Sequence, residues 1–584
     1  MPDYQRFFID KTPQSFGDAL LLHGFAQLLE NIDDTTSITL SDYGAYFAIE
    51  VSTPISVAQI ERKATDVQLV RYIKPEEKEP KEGEKKKEKK KIELPTDLNP
   101  VNYKDEKERA SLYLASRKHG GNAEKPRPEW SIYRAINPGA IQGYNNLALA
   151  WHIARSPETL YLLFDLFSTK PNDINGAISA WKALNKAKGW GIKASATALQ
   201  LFNPDSGKGH NKVKGDGLSI GNLDSFWLIE YLKAAGFYAG AITQTLRDSK
   251  DRKTLVVMPR KLTFSQSQAI MGEFAQSMQV PLYPTQFDIL AVIRYLKALV
   301  PRVMPDESES DDLLDDINLS DEVVAGFQSA FYKDMGNSAA TMNMSFLGLP
   351  RWVEVGSQEQ VELHTKILIE FEKFVRQFNE KESDVPELLR PLRDFVSGDD
   401  LEAFFEFTNA FPAYAVGRQE RGKYVRLLTT YFIERIIMNQ DEAKYQHILE
   451  SPGFQNIAYA IRQSTITAQY RKKQGDRKYD VRYGLGQELA RKSRYPGEFI
   501  TALTDFLHKY NAENAQVMEV RPAPYRRSVL TTDIEQIIHL IDEYGSEVVA
   551  NLLIAYGYAR LPQQGDFATD ETPIEPDESF EGDN

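Results

Sequence analysis

The segment that most limits how this chain can fold is residues 223–236, LDSFWLIEYLKAAG. Leu223, Phe226, Trp227, Leu228, Ile229, Tyr231 and Leu232 fall on nearly every face of a helix drawn through it, so that helix has to be enclosed on all sides. Its expected limits are a cap at Asn222 or Asp224 and a stop at Gly236. Directly ahead runs NPDSGKGHNKVKGDGLSIG, residues 203–221, whose five glycines let the backbone come close to a partner because no Cβ intervenes. Lys208, Lys212 and Lys214, with Asn203, His210 and Asn211, line that backbone with donors suited to phosphate oxygens or base edges. The loop lacks GxxxxGK[ST], which excludes a nucleotide-hydrolysing P-loop. The plain alternative is a surface loop without a function, the usual meaning of a Gly/Asn/Asp/Ser cluster. Residues 237–246 and 253–258 then read as two β-rich runs joined by the charged turn RDSKDR, so loop, helix and hairpin form one unit.

Around that unit the chain divides by composition. Its 584 residues allow three or four domains at about 150 residues each. Residues 1–70 read as a small α+β segment: a strand at 4–10, a helix at 15–30 and a hairpin around the turn SDYG. Residues 71–127 form a charged linker or insertion, because KPEEKEPKEGEKKKEKKK offers no apolar surface to offset the entropy of ordering it. Residues 128–350 form a central α/β body with an acidic loop at 305–322, and residues 351–398 are connecting helices. In that body WSIYRAINPGAIQGYNN, and Gly189-Trp190-Gly191-Ile192-Lys193 after Lys186 and Lys188, mix aromatics, amides and lysines as base-stacking surfaces do, and as ordinary turns do. Residues 399–562 carry a series of amphipathic helices with short connections, the pattern of an antiparallel bundle, and 563–584 is an acidic tail. The fold class expected is therefore α+β: a mixed α/β N-terminal body followed by an all-α bundle.

Charge and residue usage narrow the chemistry. No cysteine occurs, which excludes a disulfide framework and thiolate zinc sites. The eight histidines form no HxH or HExxH, so neither a metal nor a cofactor is expected. The opening MPDYQRFFIDKTPQ has no basic region followed by an apolar core, and no apolar run reaches about eighteen residues, so a cytoplasmic protein is expected. The net charge of −13 is unevenly placed: residues 306–322 hold nine acidic side chains and 565–584 hold eight, with no basic one in either. Setting those seventeen aside leaves 66 acidic against 70 basic side chains, a slightly basic body.

The strongest concentration of cations lies between residues 460 and 495. Arg462, Arg471, Lys472, Lys473, Arg477, Lys478, Arg482, Arg491, Lys492 and Arg494 face only Asp476, Asp480 and Glu488. Such a surplus suits a row of phosphate contacts, which release counterions and make binding salt-dependent. The plain reading is a solvated surface balanced by the acidic tail.

The order of a mixed α/β body before a helical bundle, the segment from GWGIKAS through FNPDSGKGHNKVKGDGLSIGNLDSFWLIEYLKAAGF, and the run AIRQSTITAQYRKKQGDRKYDVRYGLGQELARKS together resemble the large subunit of type I CRISPR Cascade, in the group that includes type I-B effectors. Some members of that family carry a zinc-binding cysteine set, from which this cysteine-free chain departs. The resemblance implies a non-enzymatic subunit that recognises the short motif beside the target (the PAM) in duplex DNA, starts unwinding and offers a platform to a helicase-nuclease. Its partners would be the CRISPR RNA with the backbone and handle-binding subunits, target double-stranded DNA and the nuclease, without a membrane. The bundle would resemble the small subunit, supporting R-loop strands. Gln142 is the candidate wedge residue. Met438, in YFIERIIMNQ, is the candidate internal start for a separate small subunit. Two other classes stay open: a nucleic-acid-processing enzyme, which would need a carboxylate cluster for magnesium, and a protein-interaction scaffold without DNA binding.

Overall fold

The computed structural model describes residues 4–12, 15–74, 94–95, 98–118, 121–127, 130–136, 138–205, 224–303, 320–336, 339–398, 400–438, 442–520 and 526–563. It is an α+β protein whose helices dominate the C-terminal part. Most of the linker's charged run, nearly all of the acidic loop, and the acidic tail lie outside the described residues, but the expected disordered linker at 71–127 is ordered in its later part, where Tyr103–Lys118 form a helix. Among the described residues, no helix is long and apolar enough to cross a membrane.

The chain forms two compact units, which differ from the divisions suggested by composition. The first joins residues 1–282 to 321–347. Its first sheet contains the strands Tyr4–Asp10, Tyr46–Ile55, Ile38–Asp42 and Lys261–Thr263, in that order and all antiparallel. Residues 1–70 are thus not a separate body, since the last strand of their sheet comes from two hundred residues downstream. The second sheet runs in the order Ala339–Gly348, Val324–Asp334, Arg252–Pro259, Ala241–Thr245. Its last two strands are the hairpin read from the sequence, and the strands at 324–348 carried no clear sequence signal beside the acidic stretch.

Helix Trp227–Gly240 is enclosed as its composition requires, with both Glu230 and Lys233 buried among the apolar side chains. Gly236 does not stop it. A Cβ on Gly236 would lie 1.7 Å from Leu20 O, and one on Gly24 would lie 1.9 Å from Leu232 O. These two glycines let helix Ser15–Ile32 and helix Trp227–Gly240 cross backbone to backbone, so Gly236 is a packing residue. The N-cap is Phe226, in extended backbone, because residues 224–226 already pair as a strand with Ser195–Thr197.

The second unit joins residues 283–320 to 348–570. Its centre is helix Pro284–Leu299, buried on almost every face, against which Gln358–Val375 and Val385–Gly398 pack. Arg294 and Lys297 both pair with Glu372, at 2.9 and 2.6 Å, and Arg393 pairs with Asp288 at 2.7 Å, fixing the three helices by charge as well as by burial. Helix Pro284–Leu299 therefore belongs with the later helices by packing, although composition places it in the central body. Beyond them, Leu401–Glu420, Pro452–Ser464 and Ser546–Gly557 form the bundle core. Thr465, at φ −119° and ψ −97°, separates helix Pro452–Ser464 from helix Ile466–Lys473. The last helix pair opens at Thr531, where the preceding Leu530 N donates to Asp533 Oδ2 at 2.8 Å.

Two buried histidines make the fold sensitive to acid. His23 Nε2 lies 3.0 Å from Val257 O, and His364 Nε2 accepts from Glu354 N at 3.1 Å. Burial pushes each imidazole down to about 4, so both are neutral in the fold. An unfolded histidine takes up its proton near its ordinary value, so the stabilisation is complete above that value and is lost as pH falls through about 4. The loss is about 3 kcal/mol per histidine. In the first unit Asp18 works against His23, because burial raises its carboxyl to about 6 and the fold gains a proton there as pH falls. The expected result in urea unfolding is a loss of stability of the second unit as pH falls toward about 4, lessened by His364→Gln, which keeps an acceptor without the titration.

Candidate nucleic-acid interface

Two surfaces carry the sequence's candidate residues, one in each unit. In the first, Lys208, His210, Asn211, Lys212 and Lys214 lie outside the described residues, and what is described is the mount from which they leave and return. Asn203 belongs to that mount, not to a reading surface. It is buried, and its Nδ2 donates to Glu230 Oε2 at 2.8 Å and to Leu199 O at 3.1 Å, while its Oδ1 accepts from Lys233 Nζ at 2.6 Å. Lys233 Nζ also lies 3.2 Å from Glu230 Oε1. The side chain is fully engaged inside the protein, which corrects its expected role as a donor to DNA. Lys233→Met, which leaves Glu230 buried without its cation, is expected to cost about 3–5 kcal/mol in urea unfolding.

Beside this mount, Gly189 caps helix Ile174–Lys188 in the left-handed region at φ 67°. The turn it starts lays Trp190 on Trp181, stacked at 5.7 Å, and Trp181 meets Trp227 edge-on at 5.0 Å. Trp190 is therefore half-buried against the core of the unit, with its ring already stacked on Trp181. Lys188 pairs with Glu158 at 2.7 Å. Lys182 and Lys193 are exposed and border a shallow groove of ≈ 360 Å³ with Ser195, Asp224 and Ser225. Gln142 lies on the exposed face of helix Pro138–Ala154 and donates to Asn146 Oδ1 at 3.0 Å, an i to i+4 pair.

In the second unit the cations of residues 460–495 separate into two groups. Arg462 is buried, its guanidinium donating to Tyr556 O at 2.5 Å and its pKa pushed down to about 10 by burial, so it holds the bundle together and is no surface contact. Arg482 lies 4.0 Å from Glu513, and Lys492 pairs with Glu498. The remaining group is Arg471, Lys472, Lys473, Arg477, Lys478, Arg491 and Arg494, all exposed except the half-buried Arg471. Among the described residues, only Lys478 of these seven has an acidic partner, Asp476 at 3.8 Å. Helix Ile466–Lys473, helix Leu485–Lys492, the loop between them and, for Arg494, the turn after the second helix carry these side chains.

That loop is held from below. Arg526 sits between Tyr479 and Tyr510, at 3.5 and 4.5 Å from the ring centroids, and pairs with Glu513 at 2.5 Å. Glu513 also accepts from Asp480 N at 2.6 Å, and Arg482 N donates to Ser464 O at 2.7 Å. A loop pinned at 479, 480 and 482 holds Arg477 and Lys478 close to fixed positions, which lowers the ordering cost of binding. The sequence reading passed over three tyrosines in this region. Tyr470, Tyr483 and Tyr495 are 58%, 47% and 59% exposed, and Lys472 Nζ donates to the Tyr483 hydroxyl at 3.0 Å. The signal for them was an arginine directly beside each, Arg471, Arg482 and Arg494. Cations interleaved with exposed rings can bind phosphates and stack bases of a single strand.

Among the described residues, no group of three His, Asp or Glu side chains is placed to hold a metal ion. No protein-family model matches the chain, and no curated protein matches it either.

Proposed function

We propose that this chain is the non-catalytic large subunit of a type I CRISPR Cascade complex, of type I-B-like character, acting in the cytoplasm. The observation that carries the nucleic-acid part of this reading is the series of exposed cations Lys472, Lys473, Arg477, Lys478, Arg491 and Arg494 with the half-buried Arg471, and the exposed Tyr470, Tyr483 and Tyr495 interspersed along the same segment. Its cations supply sequence-neutral grip and its rings favour an unpaired strand, the form in which DNA lies in an R-loop. In this reading the loop of Lys208, Asn211 and Lys212 contacts the PAM, held at its base by the buried Asn203–Glu230–Lys233 group. Guide RNA bound by the partner subunits supplies the remaining specificity, and the helicase-nuclease is recruited to cut.

The test is affinity of the assembled complex for duplexes with a randomised target-flanking motif. Lys208→Ala, Asn211→Ala and Lys212→Ala are expected to abolish motif preference while leaving residual binding. Unchanged preference in all three would reject the loop as the reader. Labelled DNA incubated with the purified chain and magnesium is expected to stay intact; turnover would replace this reading with an enzymatic one. Met438 ends helix Thr430–Met438, so a product initiated there would keep the cationic face but lack helix Leu401–Glu420, against which helices Leu485–Lys492 and Ser546–Gly557 pack. Mass spectrometry of the expressed gene would detect that product.

A further inference from the structure

The first sheet has a second face. In strand Tyr4–Asp10, Phe7 and Ile9 point into the core, whereas Arg6 and Phe8 point out. The register carries that outer face across the sheet, with Phe8 opposite Ala48, Ala48 opposite Ser41 and Ser41 opposite Lys261. One row along, Arg6 lies opposite Glu50 and Glu50 opposite Thr39. On this face Phe8 and Tyr46 meet edge-on at 5.6 Å, and Tyr46 stacks with Tyr43 at 5.4 Å and 20°. Tyr43, at the hairpin turn, is 52% exposed.

Cations frame these rings. Lys170 Nζ sits 4.1 Å from the Tyr46 centroid and 4.9 Å from that of Phe8, and donates to the Tyr46 hydroxyl at 2.8 Å. The segment carrying Lys170 is stapled to the strand edge, since Asn172 N donates to Asp10 Oδ2 at 2.6 Å and Asn172 Oδ1 accepts from Asp10 N at 3.0 Å. Arg6 lies 5.4 Å from the Phe8 centroid and pairs with Glu50 at 2.8 Å. Asp42 is bound by Lys11 at 2.5 Å. The three carboxylates named are thus each matched, while Lys170 and Lys261 are exposed and have no acidic partner among the described residues. Arg6 also borders a groove of ≈ 440 Å³ lined by Gln5, Ser37, Thr39, Glu50 and Ser52.

We propose that this outer sheet face is a binding site for single-stranded RNA. Rigid aromatics on adjacent strands give bases a stacking surface, and surplus lysines beside them meet the phosphates. The adjoining groove favours RNA over DNA, because hydroxyl, amide and carboxylate side chains beside the stacking surface are partners for a 2′-hydroxyl. The site lies in the first unit and does not rest on the reading given to the cations of the bundle.

The test is fluorescence anisotropy of a short labelled single-stranded RNA with the full chain in which Arg471, Lys472, Lys473, Arg477 and Lys478 are all changed to Glu, so that the bundle's contribution is small. Tyr43→Ala with Tyr46→Ala is expected to weaken RNA binding by roughly tenfold or more, and Lys170→Glu to weaken it and flatten its salt dependence. Tyr46→Phe, which keeps the ring, is expected to retain most of the affinity. RNA affinity unchanged in the double variant, or DNA of the same sequence bound as tightly as RNA, would overturn the assignment. Should the double variant fail to fold, photo-crosslinking of 4-thiouridine RNA to the unsubstituted face decides: crosslinks within residues 4–10 or 38–55 support the site, and crosslinks only elsewhere reject it. In the chain with its native bundle, the sheet variants leave affinity for single-stranded DNA unchanged, which separates failure of this site from failure of the proposed function.

Discussion

Changing Arg471, Lys472, Lys473, Arg477 and Lys478 together to glutamate lowers the affinity of the chain for single-stranded DNA by about a hundredfold or more near physiological salt. Each phosphate contact by a lysine or arginine releases counterion, with a slope of about 0.7 per contact on a single strand. Five lost contacts therefore flatten the dependence of log K on log salt by about 3.5. The fold tolerates the change, because these side chains are exposed or half-buried and Asp476 is the only acidic partner any of them has among the described residues. Arg462→Glu is the informative contrast. It puts a carboxylate where a buried guanidinium donates to Tyr556 O, so it unfolds the bundle and does not merely weaken binding. Circular dichroism separates the two effects.

Gly236→Ala destabilises the first unit by about 3 kcal/mol or more. Helix propensity alone predicts the opposite, since alanine is favoured over glycine by about 1 kcal/mol in a helix interior. Steric overlap decides the sign here: the new methyl would sit 1.7 Å from Leu20 O and 2.8 Å from Gly24 N, and both are backbone atoms that cannot turn away. Relief requires the two helices to separate along a crossing that buries Leu20, Leu21, Phe25, Leu228, Leu232 and Ala235. Gly272→Ala is the control. Gly272 lies in helix Phe264–Ser277, where an added methyl would meet nothing within 4 Å, so propensity acts unopposed and the variant gains up to about 1 kcal/mol. Urea midpoints moving in opposite directions for the two variants are the expected result. A stabilised Gly236→Ala protein would contradict the backbone crossing.

What the sequence made legible follows from where side-chain pattern decides structure. The strand at 4–10, the helix opening at Ser15, the hairpin around SDYG and the second strand after RDSKDR are found where their periodicity placed them, whereas the strand read at 237–246 begins only at Ala241 because helix Trp227–Gly240 runs through its first four residues. The buried character of the 227–240 helix was readable because burial follows from composition. What decides the fate of a glycine is the element it meets, and Gly236 meets a helix two hundred residues away, so a local reading as a stop had no means of detecting it. Sheet closure by Lys261–Thr263 and the placement of Pro284–Leu299 with the later helices are likewise long-range outcomes. At the candidate interface the sequence located the cationic run but not its sorting. Arg462 and Arg471 look alike in a string, and only packing shows that one spans the bundle core while the other reaches its surface. Asn203 was misjudged for the same reason, since its partners Glu230 and Lys233 lie a helix away.

The most direct measurement of the central claim is the slope of log K against log salt for the purified chain binding a single-stranded oligonucleotide. Seven cations on the bundle face predict a slope of about −5, falling to about −1.5 after the five-residue reversal. A slope near zero in the unsubstituted chain, or one that the reversal leaves unchanged, would contradict the assignment of that face to nucleic acid.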